Sequence, residues 1–208
     1  ITAWEILYDR FGIVRGAAEN GRALLVIGGA GGVGSIMIQL ARQLTGLTVI
    51  ATASRTQTRD WCVKLGAHHV IDHTKPLAEQ LKAEGHPTVA LIASLTGTEQ
   101  YFPQVPDIIA PFGKFALIDD PKTMDAAPLK RKAVSLHWES MFTRSLFSTP
   151  DMIEQHRLLT EIAVLVDAGK IISTATQEIT PINAANLIRA QTQVESGTTI
   201  GKVVVHGW

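Results

Sequence analysis

Short apolar runs alternate with amphipathic stretches along most of the chain. Between the apolar runs lie helix-like patterns at 33–44, 56–65, 76–84 and 98–110. The runs that predict β-strands are ALLVIG (23–28), LTVIATAS (47–54), HHVIDH (68–73), TVALIAS (88–94), KFALID (114–119) and AVSLHWESMF (133–142). The first five show little polar alternation, which is typical of strands buried on both faces of a parallel sheet. The pattern therefore predicts an α/β fold with a doubly wound parallel sheet.

The alternation of short apolar runs and amphipathic stretches ends at Pro150. A long amphipathic stretch at 150–171 is followed by TATQEIT (174–180), by a second helix-like stretch at 181–197 and by GKVVVHGW (201–208). These segments do not continue the β–α alternation, so we expect them to pack against another domain. The chain also begins without Met, inside an amphipathic stretch, and we expect further sequence upstream of it.

Composition limits the classes of function. Lys plus Arg and Asp plus Glu number 19 each, and this zero net charge favours neither a nucleic acid nor a membrane surface as partner. The single cysteine, Cys62, excludes an intrachain disulfide framework. No apolar run approaches the ~20 residues of a membrane span. We therefore expect a cytoplasmic protein that acts on a small-molecule substrate.

The candidate chemistry is concentrated in IGGAGGVGS (27–35), which lies between a predicted strand and a predicted helix. Its glycines Gly28, Gly31 and Gly34 have the spacing G-x-x-G-x-x-G. A tight strand-to-helix turn, a close backbone approach to a pyrophosphate and close helix–strand packing each require a small residue at this spacing. Free N–H groups at the helix start would then face phosphate oxygens. The motif favours dinucleotide binding over a plain glycine-rich turn.

The neighbouring residues separate this interpretation from other phosphate and nucleoside sites. A Walker A loop needs Gly-Lys-Ser/Thr, whereas Gly34 is followed by Ser35. An acid at the end of the second strand would suit S-adenosylmethionine or NAD(H), but nothing from 48 to 59 is acidic. Ser54 and Arg55 stand at that point instead, and a hydroxyl with a guanidinium suits a 2′-phosphate. The sequence predicts NADP(H), with a solvated basic turn as the alternative.

These motifs resemble the medium-chain dehydrogenase/reductase superfamily, and within it the zinc-type alcohol dehydrogenase-like or quinone oxidoreductase-like branch. The resemblance is carried by GGAGGVGS, by the segment from ATASRTQTRDW to HHVIDHTKP, and by FGKFALIDDPK and HWESMFTRSLFSTPDM. It spans all 208 residues but only the rear part of a typical family chain. It implies a Rossmann-type domain over 1–173 with strand order 3-2-1-4-5-6. Residues 174–208 would be a return segment that belongs to a missing N-terminal catalytic domain.

The resemblance also implies a cofactor site. By this resemblance the glycine-rich turn would meet the pyrophosphate, and Ser54 with Arg55 would hold the adenosine 2′-phosphate. His73 would lie beside the adenine ribose, and Leu95 and Thr96 on the adenine side. Ile118 would end the fifth strand near the nicotinamide, and Phe142 and Thr143 would end the sixth. The full set is Gly28, Gly31, Gly32, Val33, Gly34, Ser54, Arg55, His73, Leu95, Thr96, Ile118, Phe142 and Thr143.

The activity that the resemblance implies is hydride transfer from NADP(H) to a quinone, an activated enone or a carbonyl, without zinc. No side chain stands out as a general acid, so we name no catalytic residue, and we expect the 208-residue chain alone to be inactive. Two alternatives stay open. One is a zinc-dependent alcohol dehydrogenase whose metal lies in the missing domain, and the other is an NADPH-binding module without chemistry.

Two polar clusters have a functional and an ordinary interpretation. His69, Asp72 and His73 could suggest a metal site. On a strand, however, the side chains of His69 and Asp72 point to opposite faces. We therefore favour the interpretation that these histidines lie at a strand end near a cofactor ribose. Asp119 and Asp120 could suggest paired carboxylates for acid–base catalysis. Adjacent side chains diverge, and we favour an ordinary loop.

Two further features concern packing and assembly. Cys62 lies in an amphipathic stretch, and we expect a small core residue rather than a reactive thiol. The strand at 133–142 could be an ordinary sixth strand, but we expect an exposed edge that pairs with a second copy in a homodimer.

Overall fold

A parallel β-sheet of six strands forms the centre of the molecule. The computed structural model describes residues 1–16 and 21–208. The strands are β1 (Ala23–Ile27), β2 (Thr48–Thr52), β3 (His69–Ile71), β4 (Val89–Ser94), β5 (Ile109–Leu117) and β6 (Ser135–Trp138). Their order in the sheet is β3-β2-β1-β4-β5-β6, and every neighbouring pair is parallel. The predicted Rossmann-type fold and strand order are confirmed.

Helices follow the strands on both faces of the sheet. Before β1, helix α1 (Thr2–Trp4) continues as a π-helix over Glu5–Arg10. The remaining α-helices are α2 (Gly32–Leu44), α3 (Thr56–Lys64), α4 (Leu77–Ala83), α5 (Thr98–Tyr101), α6 (Val105–Ile108), α7 (Thr143–Leu146), α8 (Ile153–Asp167) and α9 (Ala184–Glu195), and 3₁₀-helices cover Phe102–Gln104 and Ala127–Lys132. None of the helices in the described part of the chain has the length and apolar character needed to cross a membrane.

The hydrophobic core lies on both faces of the sheet, and β1 shows why its sequence lacks polar alternation. Leu24 and Val26 belong to one cluster of buried side chains, whereas Leu25 and Ile27 belong to the cluster on the opposite face. All five residues of β1 are buried. A central parallel strand is covered by helices on both sides, so both sets of alternate side chains are apolar.

The fifth strand begins earlier than predicted. The helix-like pattern at 98–110 breaks into α5, a 3₁₀ turn at Phe102–Gln104 and α6, because Pro103 and Pro106 lack the N–H groups that a continuous helix needs. The chain then enters β5 at Ile109, which pairs with Val89 before a register shift.

The sixth strand is shorter than the predicted 133–142, and this corrects the positions of Phe142 and Thr143. Strand β6 ends at Trp138, which pairs with Leu117, the last residue of β5, and the N–H of Glu139 donates to the Leu117 carbonyl at 3.0 Å. Beyond this point β5 offers no further partner. Phe142 therefore precedes α7 and Thr143 begins it, so neither residue ends a strand.

The C-terminal residues form a small unit beside the main sheet. Strands β7 (Ala175–Ile179) and β8 (Lys202–Val205) make a two-stranded parallel sheet connected by α9. The backbone N–H of Gly201 donates to the carbonyl of Ala30 at 2.8 Å, which attaches this unit to the glycine-rich turn. The domain boundary between 173 and 174 falls just before β7 and stays a prediction.

Candidate functional site

The turn after β1 needs glycine for two separate reasons. Gly28 has φ +86°, in the left-handed region that L side chains rarely adopt, and its carbonyl accepts from the N–H of Gly31 at 3.2 Å. A Cβ on Gly34 would come within 2.6 Å of the carbonyl oxygen of Gly29. The turn is therefore as tight as the spacing of the glycines predicts, and α2 packs directly against it.

Helix α2 begins at this turn with its backbone donors exposed to a cavity. Gly31 is the N-cap residue, with extended backbone and no side chain to satisfy the first turn. The first N–H groups of any helix have no acceptor within the helix. Gly32, Val33 and Gly34 line the cavity in front of them. Together with the partial positive charge of a helix N-terminus, these groups form a ready anion-binding site.

The cavity has a volume of about 700 Å³ and lies between the carboxyl ends of β1, β2 and β4 and the C-terminal unit. Most of the candidate residues meet here. Those that line it are Gly28, Gly31, Gly32, Val33, Gly34, Ser54, Arg55, His73, Leu95 and Thr96. Ligands of open α/β sheets bind at this edge, at the point where the strand order reverses.

The charged side chains that line the cavity are basic. Arg55 and Lys202 both line it, and no carboxylate lines the cavity among the described residues. Arg55 Nη2 donates to the carbonyl of Thr198 at 2.7 Å. Arg59 is already committed, because it donates to the carbonyls of Ala53 and Val70 at 3.3 and 2.8 Å. Of these two arginines, Arg55 is the one that can reach a ligand.

Hydrogen bonds to three hydroxyl groups stabilise the segments around the glycine-rich turn. The N–H of Gly28 donates to Thr52 Oγ1 at 3.0 Å, which joins the end of β1 to the end of β2. The indole N–H of Trp61 donates to Ser35 Oγ at 2.8 Å and so joins α3 to α2. The backbone N–H of Arg55 donates to Thr58 Oγ1 at 3.2 Å. The backbone around Arg55 is thereby fixed at the start of α3.

An aromatic pair closes one end of the cavity. The rings of His73 and Tyr101 meet edge to face, with their centroids 6.1 Å apart, and both residues line the cavity. Burial raises the pKa of the Tyr101 hydroxyl, so this group stays protonated at neutral pH and can donate a hydrogen bond. Flat side chains at this end are suited to a planar ring.

Three candidate residues do not line the cavity. Ile118 packs against the hydrophobic core. Phe142 and Thr143 lie at the start of α7, and the side chain of Phe142 is exposed. None of the three is among the residues that line this cavity, and their assignment to the cofactor stays a prediction.

The clusters that suggested other chemistry have structural partners. His69 Nδ1 lies 2.7 Å from Glu84 Oε2, and Asp72 accepts from the N–H of Thr74 at 2.9 Å. Asp119 accepts from the N–H of Thr98 at 2.8 Å and so anchors the start of α5. Within residues 1–16 and 21–208, no three His, Cys, Asp or Glu side chains come together as a metal site.

Cys62 is a core residue, as predicted. Its side chain is fully buried, and a Cβ on Gly29 would lie 3.2 Å from its sulfur. Burial raises the pKa of the Cys62 thiol to about 12, so the reactive thiolate is absent at neutral pH.

The structure adds residues to the cavity that the sequence pattern did not indicate. The C-terminal unit contributes Thr198 and Lys202, and α3 and α5 contribute Thr58 and Tyr101. No local motif distinguishes Lys202, because its position depends on how β8 packs against the turn more than 160 residues earlier in the chain.

Comparison with known proteins gives a consistent result. The family described as zinc-binding dehydrogenase matches residues 32–161. A zinc-type alcohol dehydrogenase-like protein of Staphylococcus aureus is 38% identical over 208 residues. An NADPH-dependent alkenal/one oxidoreductase of Arabidopsis thaliana is 41% identical over 70 residues, which is 34% of this chain and 18% of that protein.

A solved structure covers the whole chain. A protein from Rhizobium etli CFN 42, provisionally named a zinc-dependent alcohol dehydrogenase, has a TM-score of 0.92 and 52% identity over 100% of this chain and 60% of its own. The Staphylococcus aureus relative is matched over 99% of this chain and 62% of its own length. The chain thus spans about three fifths of each of these two relatives.

Proposed function

The chain belongs to the zinc-binding dehydrogenase family, within the medium-chain dehydrogenase/reductase superfamily, and from this premise we propose that it is the NADP(H)-binding part of an oxidoreductase. The observation that carries the proposal is the glycine-rich turn, which opens the N-terminus of α2 into the cavity. Oxidoreductases of this kind depend on the cofactor for the reaction itself, while the protein supplies binding, orientation and electrostatics.

The residues of the cavity fit a dinucleotide. A side chain on Gly34 would collide with the turn, and the glycines leave the first N–H groups of α2 open to a pyrophosphate. Lys202 adds a positive charge beside Gly32. His73 and Tyr101 offer flat surfaces for the adenosine end. Gly31, Gly32 and Val33 would hold the pyrophosphate.

The preference for NADP(H) over NAD(H) rests on Arg55. An NAD(H) site needs a carboxylate that accepts hydrogen bonds from the ribose hydroxyls, and none lines this cavity among the described residues. Arg55 offers a guanidinium beside Ser54 at the end of β2, and its fork of donors suits a phosphate. The Arabidopsis thaliana relative, which its name describes as NADPH-dependent, supports this choice.

When bound, the cofactor would supply the hydride that reduces the substrate. The residues of this chain would bind and orient it. We propose a quinone, an activated enone or a carbonyl compound as the substrate class. The name of the Arabidopsis thaliana relative, an alkenal/one oxidoreductase, supports the enone. No residue of this chain is assigned to proton transfer, and we expect little turnover from it alone.

Zinc does not enter the proposal. The described residues do not offer a set of donors that fits a zinc ion, because His69 pairs with Glu84 and Cys62 is buried and protonated. We therefore derive no step through a metal. Zinc analysis of the full-length protein would distinguish the zinc-independent proposal from a zinc-dependent alcohol dehydrogenase.

The test is a fluorescence titration of the chain with NADPH and with NADH in parallel. The chain contains four tryptophans, and Trp61 lines the same surface cleft as Arg55, so energy transfer to a bound reduced nicotinamide can report binding. We expect NADPH to bind more tightly than NADH, and the Arg55→Ala variant to lose this preference. Equal affinity for both cofactors in the unmodified chain would contradict the NADP(H) assignment, and binding of neither would contradict the site.

A further inference from the structure

We propose that the loop at 196–199 is a positioning element for cofactor choice: it holds the guanidinium of Arg55 at the place where a 2′-phosphate would bind. This inference rests on the proposed NADP(H) function. Arg55 and Thr198 of the loop are 143 residues apart in the sequence but are in direct contact, so two distant segments of the chain would form one specificity site.

The contact itself is direct. Arg55 Nη2 donates to the backbone carbonyl of Thr198 at 2.7 Å. No carboxylate in the described part of the chain lies within salt-bridge distance of Arg55, so this carbonyl is the partner that orients its guanidinium. A guanidinium has five N–H donors in a rigid plane. Fixing one of them to the carbonyl leaves the others available along the cavity wall.

The loop is built to keep that carbonyl in place. Helix α9 ends at Glu195 with Ser196 as its C-cap residue, and Gly197 follows with φ +68°, in the left-handed conformation that closes many helices. Ser196 Oγ donates to the carbonyl of Gln193 at 2.6 Å and accepts from the N–H of Thr198 at 3.3 Å. Thr199 Oγ1 also donates to the carbonyl of Gln193, at 3.1 Å. The carbonyl of Thr198 is therefore fixed relative to α9.

The consequence is specific for one cofactor. An exposed arginine without a partner samples many rotamers, and ordering it reduces the affinity for any ligand that needs it. If the loop has already restricted Arg55, a 2′-phosphate gains a preformed donor group. NADH lacks this phosphate, so its affinity does not depend on the contact between the loop and Arg55.

Two glycines allow a matched test. Gly197 and Gly169 each follow the C-cap residue of a helix, with φ of +68° and +66°, and a Cβ on either would meet no atom within 4 Å. Valine strains the backbone equally at the two positions, because β-branched residues avoid positive φ. Gly197→Val displaces the loop beside Arg55. Gly169→Val strains the end of α8, away from the cavity, and serves as the control.

The measurement is the affinity of each variant for NADPH and NADH by fluorescence titration, with circular dichroism to confirm that both variants are folded. We expect Gly197→Val to weaken NADPH binding about tenfold and to leave NADH within about twofold, while Gly169→Val changes neither. Equal losses for both cofactors, or an unchanged NADPH affinity in Gly197→Val, would overturn the role of the loop.

A second variant tests whether the planar geometry of the Arg55 guanidinium is needed in addition to its charge. Arg55→Lys keeps the charge, but a lysine is a point charge that cannot span the carbonyl and a phosphate in one fixed plane. We expect it to lose NADPH affinity about as much as Gly197→Val, and retention of full affinity would contradict the proposal. If the unmodified chain shows no preference for NADPH, the NADP(H) assignment itself fails, and the role of the loop fails with it.

Discussion

The side chain of Lys202 lies directly over Gly32, at the first residue of α2. A Cβ on Gly32 would come within 2.6 Å of Lys202 Nζ and 2.9 Å of its Cδ. A helix N-terminus carries partial positive charge, so an ammonium group beside it is unfavourable unless an anion joins them. No carboxylate of the described residues forms a salt bridge with Lys202. The two positive groups together favour an anion, which in the proposed cofactor is the pyrophosphate.

Lys202→Gln should therefore weaken NADPH and NADH binding to the same extent, about tenfold, because both cofactors carry the pyrophosphate. Arg55→Ala is expected to affect NADPH alone. The measurement is the affinity for both cofactors at two salt concentrations, with Lys170→Gln as a control at an exposed position after α8. A loss confined to NADPH would place Lys202 at the 2′-phosphate instead.

Substitutions at two glycines should separate folding from ligand binding. Gly34→Ala forces a methyl group to within 2.6 Å of the Gly29 carbonyl oxygen, and we expect the free energy of unfolding to fall by about 1–3 kcal/mol. At Gly31 the nearest atom to a new Cβ is the Gly28 carbonyl oxygen, at 3.5 Å, and φ is −73°. Gly31→Ala should therefore keep its stability but weaken cofactor binding, because its methyl group enters the space for the pyrophosphate.

Urea unfolding followed by circular dichroism checks the first effect, and the NADPH titration checks the second. A Gly31→Ala variant as unstable as Gly34→Ala would contradict the distinction between the two glycines. Unchanged stability in Gly34→Ala would show that the turn can relax.

The fold could be predicted from the sequence because its signals are local. The β1 run is apolar on both faces, and the glycines of the following turn each meet a steric requirement within a few residues. The position of Ser54 and Arg55 at the cavity could also be predicted, because these residues follow the glycine-rich turn at a characteristic distance along the chain. Periodicity and spacing carry this kind of information.

The remaining parts depend on contacts between distant segments. Lys202 and Thr198 reach the cavity only because the C-terminal unit attaches to Ala30, and no pattern in their own neighbourhood indicates it. The apolar run at 133–142 predicts one continuous strand, and the family resemblance places Phe142 at its end. Pairing with β5 stops at Glu139, and the end of one strand is decided by its neighbour rather than by its own sequence.

Glu139 should make the stability of the chain depend on pH. Its carboxylate is buried and lies 2.8 Å from Arg10 Nε. Burial and the neighbouring carboxyl group of Glu5 raise the pKa of Glu139 to about 8, although Arg10 opposes the shift. Between its ordinary pKa of 4.5 and about 8, the folded chain then binds more protons than the unfolded chain. The free energy of unfolding should fall as pH rises through this window, by up to ~1.4 kcal/mol per pH unit.

Glu139→Gln removes the titrating group. We therefore expect the decrease in the free energy of unfolding that Glu139 causes between pH 5 and pH 8 to disappear. Urea unfolding at several pH values measures the slope, with Glu79→Gln on the exposed surface of α4 as the control. The same slope in Glu139→Gln and in the unmodified chain would contradict the assignment.

Strand β6 is an edge of the described sheet and should pair with a second copy of the chain. Because Glu139 donates to the Leu117 carbonyl, the alternation of a parallel pair turns the N–H groups of Leu136 and Trp138 away from β5. Trp138 is 55% exposed. An unpaired edge with an exposed aromatic side chain is suited to antiparallel pairing across a two-fold axis.

We predict a homodimer in solution that Trp138→Lys dissociates, because charge on an edge strand opposes pairing. Trp208→Lys is the matched control, since Trp208 is fully exposed at the last position of the chain. Light scattering coupled to size-exclusion chromatography at micromolar concentration gives the mass of each variant. A monomeric unmodified chain would contradict the prediction, and a dimer that survives Trp138→Lys would place the interface on another surface.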